Sequence, residues 1–158
     1  MEANGLEDKE NTTLVIRRHY PVSPEKLWRA WTDPQALSAW FGGGGPGSVK
    51  RADVDLRVGG RYCIAFVGGD GEQHEASGVY QVVEPFTRLA FSWVFSKTTP
   101  DRVSRVNLQI EPRGDEGCEL VFTHDRFFDQ NTRNNYERGW THIFAVLESA
   151  LNGALQES

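Results

Sequence analysis

The stretch that most constrains this chain lies near its end, Asn134 to Leu155, NNYERGWTHIFAVLESALNGAL. Its apolar residues Trp140, Ile143, Phe144, Leu147 and Leu151 recur at i, i+3, i+4, i+7 and i+11, one stripe of an α-helix. Asn134 and Glu137 have capping-box spacing, and Asp129 and Asn131 offer alternative starts about a turn earlier. Almost everything ahead of this stretch reads as strand. A single long amphipathic helix after a run of strands has one place to bury its stripe, the face of the sheet. Function then turns on whether that seam is filled or hollow.

The rest of the chain supplies the sheet. Leu14 to Tyr20 is β-branched and aromatic, with Leu14, Ile16, Arg18 and Tyr20 on one face, and Pro21 ends it. Ser23-Pro24 and Asp33-Pro34 each pair an N-cap with a proline at the first helical position, predicting two short helices that end by Trp40-Phe41. Gly42 to Gly47, GGGGPG, fits G-x-G-x-x-G as a string. A dinucleotide site needs a strand before that motif and a helix after it; here the order is reversed, so a flexible loop is expected. Strands follow at Ser48 to Leu56, Gly60 to Val67, Gln73 to Glu84, Leu89 to Phe95, Arg102 to Glu111 and Cys118 to Arg126. Tyr62, Ile64 and Phe66 share a face, as do Leu89, Phe91, Trp93 and Phe95, then Val106, Leu108 and Ile110, then Leu120, Phe122 and His124. Period 2 with short turns predicts an antiparallel sheet with one wetter face.

The length of 158 residues suits one domain with a real core, expected over 13–156 after a disordered tail at 1–12. The net charge of −5, with no Lys/Arg run, disfavours nucleic acid and anionic membrane as partners. No apolar run is long enough to span a bilayer, and the polar, acidic start is unlike a signal peptide, which points to a cytoplasmic protein. Cys63 and Cys118 are read as buried thiols in a reducing compartment. His19, His74, His124 and His142 lack metal-ligand spacing, and no G-x-S-x-G is present, so neither metal nor cofactor is expected.

The elements run β, α, α, six strands, long α, and along them stand Ala30-Trp31-Thr32-Asp33-Pro34, Trp40-Phe41, Val58-Gly59-Gly60, Gly78-Val79-Tyr80 with Glu84-Pro85, Arg88-Leu89 leading to Ser92-Trp93, Leu120 to His124, and Gly139-Trp140. In that order and spacing the chain resembles the SRPBCC (START/Bet v 1-like) superfamily, within it the branch named for the activator of Hsp90 ATPase. The resemblance implies an α+β helix-grip fold: a curved antiparallel sheet of six or seven strands around the C-terminal helix, with a deep, mostly apolar cavity between them. It implies no single reaction. The eukaryotic co-chaperone carries a separate N-terminal domain for which this chain has no room. That departure counts against Hsp90 as a direct partner.

The cavity would be lined by Trp40, Phe41, Tyr62, Phe66, Phe91, Trp93, Phe95, Phe122, Trp140 and Phe144, with Arg18 or His124 fixing the polar end of a ligand. The bland alternative is a solid core in which Arg18 snorkels and His124 bonds to the backbone. Three readings remain open from sequence. One is non-catalytic binding of a hydrophobic, ring-containing small molecule by a monomer or homodimer. The second is a cyclase- or dehydratase-type enzyme using His124 with Tyr62 or Tyr80. The third is a co-chaperone-like interaction module.

Overall fold

Residues 13–43, 47–68, 71–95, 103–126 and 130–157 are described by a computed structural model. The expected tail at 1–12, the centre of the glycine loop at 44–46 and the alternative cap at Asp129 lie outside them.

Strand β1 (Leu14–Tyr20) leads into α1 (Pro24–Thr32) and α2 (Pro34–Leu37). The Ser23 side chain accepts from the Lys26 amide at 3.2 Å and Asp33 accepts from Gln35 at 3.0 Å, so both helices start where cap and proline coincide. The second helix is shorter than the sequence suggests. It stops at Leu37, a turn follows, and Phe41–Gly43 form a single 3₁₀ turn with Gly42 at φ 81°. Six strands come next: β2 (Val49–Val54), β3 (Arg61–Val67), β4 (Gln73–Glu84), β5 (Arg88–Phe95), β6 (Ser104–Pro112) and β7 (Cys118–Asp125). They join β1 in one seven-stranded sheet of order β1-β7-β6-β5-β4-β3-β2, every pairing antiparallel.

The last element, α3 (Gln130–Glu157), is the long helix. Because it is already helical at Gln130, Asn134 is interior rather than a cap, and Glu137 instead pairs with Arg133 one turn back. The predicted stripe holds. Trp140, Phe144, Leu147 and Leu151 are buried, packing with the inner-face rows Leu120/Phe122/His124 and Val106/Leu108/Ile110 in one core. This is the α+β helix-grip architecture, a seven-stranded antiparallel sheet with a long C-terminal helix and short helices after the first strand.

The β4–β5 ladder is interrupted. Pairing runs from Ser77↔Val94 to Tyr80↔Phe91, then shifts register before Val82↔Ala90. A Cβ on Gly78 would lie 1.9 Å from the Ser92 carbonyl oxygen, so only glycine permits this approach. Side chains bridge the gap: the Val79 amide donates to Ser92 Oγ at 2.9 Å, and the Tyr62 hydroxyl donates to the Ser92 carbonyl at 2.7 Å. Cys63 is half-buried on the outer face rather than in the core; Cys118 is buried, its thiol pushed up to about 11 by desolvation. No helix among the described residues is long and apolar enough to cross a membrane.

Candidate functional site

The seam between sheet and α3 is filled at one end and hollow at the other. In the filled part Trp31 packs against Trp40 with ring centroids 4.6 Å apart, and Phe122 against Trp140 at 4.7 Å and Phe144 at 5.1 Å. The Trp40 indole N–H donates to the Ala30 carbonyl at 2.9 Å, which holds the 3₁₀ turn against α1. Among Trp31, Leu37, Tyr62, Ile64, Tyr80 and Phe91 only about 10 Å³ is open. That is at most a single water-sized space.

The hollow part is a pocket of about 380 Å³. The sheet side contributes Phe66 from the end of β3 and Gly68 just past it, His74 from β4, and Trp93 and Phe95 from β5. The 3₁₀ turn contributes Phe41 and Gly42, and α3 contributes Asn135, Tyr136, Gly139, Trp140 and Ile143. The rings meet at steep angles: Phe41 on Phe66 at 76°, Trp93 on Tyr136 at 81°, and Trp93 on Trp140 at 56°. Gly42 closes one wall. A Cβ there would lie 2.4 Å from the Phe66 ring, and its φ of 81° is a conformation side chains rarely adopt.

The two indoles of the pocket are anchored by hydrogen bonds. Trp93 donates to the Tyr136 hydroxyl at 3.0 Å, tying β5 to α3. Trp140 donates to Nδ1 of His124 at 3.1 Å, and Nε2 of His124 lies 2.7 Å from Ser104 Oγ. Since Nδ1 accepts, the neutral imidazole carries its proton on Nε2 and donates to Ser104. His124 has no exposed surface, and burial pushes its pKa down to about 3. It is a neutral structural acceptor near neutral pH. Burial also raises the Tyr136 phenol, against a smaller opposing effect of the Trp93 N–H, so it too stays neutral. No Asp, Glu, Lys or Arg side chain lines the pocket among the described residues.

Of the residues expected in a cavity, Phe41, Phe66, Trp93, Phe95 and Trp140 are brought together. Tyr62, Phe91, Phe122 and Phe144 belong instead to the filled part, and Trp40 lies buried beside Phe41. The two polar fixing points need correction. Arg18 sits on edge strand β1, exposed, its guanidinium bonded to the neighbouring Arg17 carbonyl at 2.9 Å; β7 and β6 separate that strand from β5 of the pocket. A long side chain at a sheet edge reaches water even from the inner-face register. His124 is not among the lining residues, being occupied by Trp140 and Ser104. Nor do the residues of the cyclase reading converge. Tyr62 and Tyr80 line the small void, both phenols raised chiefly by burial, away from His124's two partners.

Sequence reasoning missed Gly68, His74, Asn135, Tyr136, Gly139 and Ile143 as lining residues. His74 pairs directly with Phe66 across β3–β4, so alternation from Ala76 could have placed it on the inner face. Tyr136 stands four residues before Trp140, on the same helical face. The outer face of the sheet carries another depression, about 420 Å³, among Arg61, Cys63, Ser77, Val79, Ser92 and Val94. Its one aromatic neighbour is Tyr62. No group of three or more potential metal-ligating side chains occurs among the described residues.

The profile of the "Activator of Hsp90 ATPase homolog 1-like protein" family matches residues 21–152. No curated protein matches the chain. Solved structures do. An AHSA1 protein from Silicibacter pomeroyi is 26% identical over 91% of this chain and 99% of its own, with a TM-score of 0.75. An AHSA1-like protein from Aeromonas hydrophila is 26% identical over 90% and 93%, with a TM-score of 0.72. A Rhodobacter sphaeroides protein is 26% identical over 90% and 93%, with a TM-score of 0.74. Profile, fold and element order agree, and the chain belongs to the activator of Hsp90 ATPase homolog 1-like family of SRPBCC proteins.

Proposed function

We propose that this protein binds a hydrophobic, ring-containing small molecule in the pocket at the sheet–α3 seam and does not turn it over. The observation that carries this is a 380 Å³ opening walled by Phe41, Phe66, Trp93, Phe95, Tyr136 and Trp140 inside an otherwise packed seam. Its volume is at the lower end of the range for small-molecule sites, about 300–1,000 Å³. Apolar burial drives binding at about 25 cal/mol per Å², before the costs of immobilising the ligand. Orientation falls to the few polar groups at the wall, Asn135, Tyr136 and His74.

Two features favour binding over turnover. His124, the buried histidine that an acid–base mechanism would recruit, is neutral and already bonded through both ring nitrogens. The phenols of Tyr62 and Tyr80 are held neutral in the packed part. The co-chaperone reading calls for a broad exposed apolar patch. Among the described residues the large exposed apolar side chains are Val15, Leu56, Val58, Phe86 and Val103, which fall on four segments of the chain.

An uncharged environment-sensitive dye such as Nile red tests this. Micromolar binding by the wild type and loss of it in Phe95→Arg, with an unchanged circular dichroism spectrum, is the expected result. Dye binding indifferent to Phe95→Arg points to another surface. Incubation with the molecule that co-purifies from the native host, followed by mass spectrometry, should give no new species; a product formed in excess of the protein would establish an enzyme.

A further inference from the structure

We infer that Gly139 sets which ligands the pocket admits, and that its place in the wall selects a flat, uncharged ring system laid against the bare backbone of α3. This rests on the pocket being the ligand site. The lining residues of the helix are 135, 136, 139, 140 and 143. At about 100° per residue they cover an arc of roughly 140°, and position 139 falls inside it. A side chain at 139 would therefore point into the opening. Among the described residues its Cβ would meet nothing within 4 Å.

That emptiness corrects a simple expectation. A glycine preceding the buried Trp140 suggests a helix drawn close to the sheet, but no described residue approaches position 139. Glycine inside a helix is less favourable than alanine by about 1 kcal/mol. Nothing in the packing here requires that cost, and φ is not in the left-handed range. What the missing side chain leaves is room. Residue 139 opens a bare strip of helix between the side chains of Asn135 and Ile143, one turn to either side. Backbone groups in mid-helix are satisfied by the helix itself, so an apolar ring can lie on the strip without stranding a donor or acceptor. Trp93, Trp140 and Phe66 supply apolar surface around the same space.

The lining chemistry fixes the charge. With no carboxylate, ammonium or guanidinium in the wall among the described residues, an ionic ligand would lose water and gain no ion pair from them. A compact polycycle with at most a hydroxyl or carbonyl at its rim fits best.

Titrating the full chain with 2-naphthol and with the larger 1-hydroxypyrene, followed by tryptophan fluorescence, tests the assignment. The wild type should bind both. Gly139→Ala should fold at least as stably, keep 2-naphthol within threefold, and lose 1-hydroxypyrene by tenfold or more. Gly139→Leu should lose both by more than tenfold with its circular dichroism spectrum unchanged. A changed ratio between the two probes is the signature, since a general loss of structure would weaken both alike. If both variants bind both probes as the wild type does, Gly139 is no gate, although the pocket reading stands. If the wild type binds neither probe, the pocket reading falls and this inference with it. Tighter binding of phenyltrimethylammonium than of 2-naphthol would overturn the assignment of an uncharged ligand.

Discussion

The two ends of the seam use the same kinds of residue to opposite effect. Around Trp31, Phe122 and Phe144, rings from α1, β7 and α3 interdigitate, and the neighbouring space among Tyr62, Tyr80 and Phe91 has closed to about 10 Å³. Around Phe66, Trp93 and Phe95, equally large rings stand about an opening of 380 Å³. The difference lies in what faces them. The filled end has the short helices α1 and α2, which push Trp31 and Leu37 into the gap. The hollow end faces glycines: Gly42 on the 3₁₀ turn, Gly68 past β3 and Gly139 on α3. Aromatic content therefore does not distinguish a core from a cavity; the small residues opposite the rings do.

Stability should report that contrast most strongly in the filled half. Phe122→Ala removes a fully buried ring in contact with Trp31, Trp140 and Phe144, and should cost about 3–5 kcal/mol in urea unfolding. A loss under 1 kcal/mol would mean that this end is not tightly packed. Gly42→Ala is next, at about 1–3 kcal/mol, from a positive φ and the encounter with Phe66. It should also abolish dye binding, because the displaced Phe66 ring has the pocket to move into.

His124 links the halves, and its effect depends on pH. Its pKa falls from 6.5 to about 3 on folding, so below pH 6.5 the unfolded chain binds a proton that the folded one refuses. Stability is full above pH 6.5 and is lost as pH falls towards 3, by up to about 1.4 kcal/mol per pH unit from this group. In His124→Gln the urea midpoint should fall less steeply over that window; an identical slope would show that His124 is not the group responsible. The smallest effect belongs to Phe95→Ala at the pocket mouth, where the ring is only half-buried. It should cost about 1 kcal/mol or less, below the range for a packed phenylalanine, yet weaken dye binding severalfold. A cost like that of Phe122→Ala would erase the distinction between the two ends.

Most of the fold was legible because it rests on periodicity. Alternation located β3, β5, β6 and β7, β-branched and aromatic content located β1, and Ser23-Pro24 and Asp33-Pro34 located both short helices. The start of α3 was misplaced because Asn134 and Glu137 have capping-box spacing in mid-helix, where Glu137 serves an ion pair with Arg133. The site was legible only in part. Alternation tells which rings face inward, but not which of them meet an opposing side chain. Phe91 and Phe95 lie on the same face of β5, and only the tertiary arrangement puts one in the packed end and the other at the mouth. Arg18 shows the same limit, since inner-face register at an edge strand does not oblige a long side chain to stay inside. Gly139 was visible, but whether a glycine permits contact or leaves space depends on what stands opposite.

The indole N–H signals test the central claim most directly. Trp93 and Trp140 wall the pocket, whereas Trp40 is bonded to Ala30 in the filled half and Trp28 packs against Phe86. In a nitrogen-15 correlation spectrum titrated with 2-naphthol, the Trp93 and Trp140 signals should shift saturably with one common affinity while Trp28 and Trp40 stay nearly still. Shifts as large at Trp28 and Trp40, or none at Trp93 and Trp140, would contradict a seam that is packed at one end and open at the other.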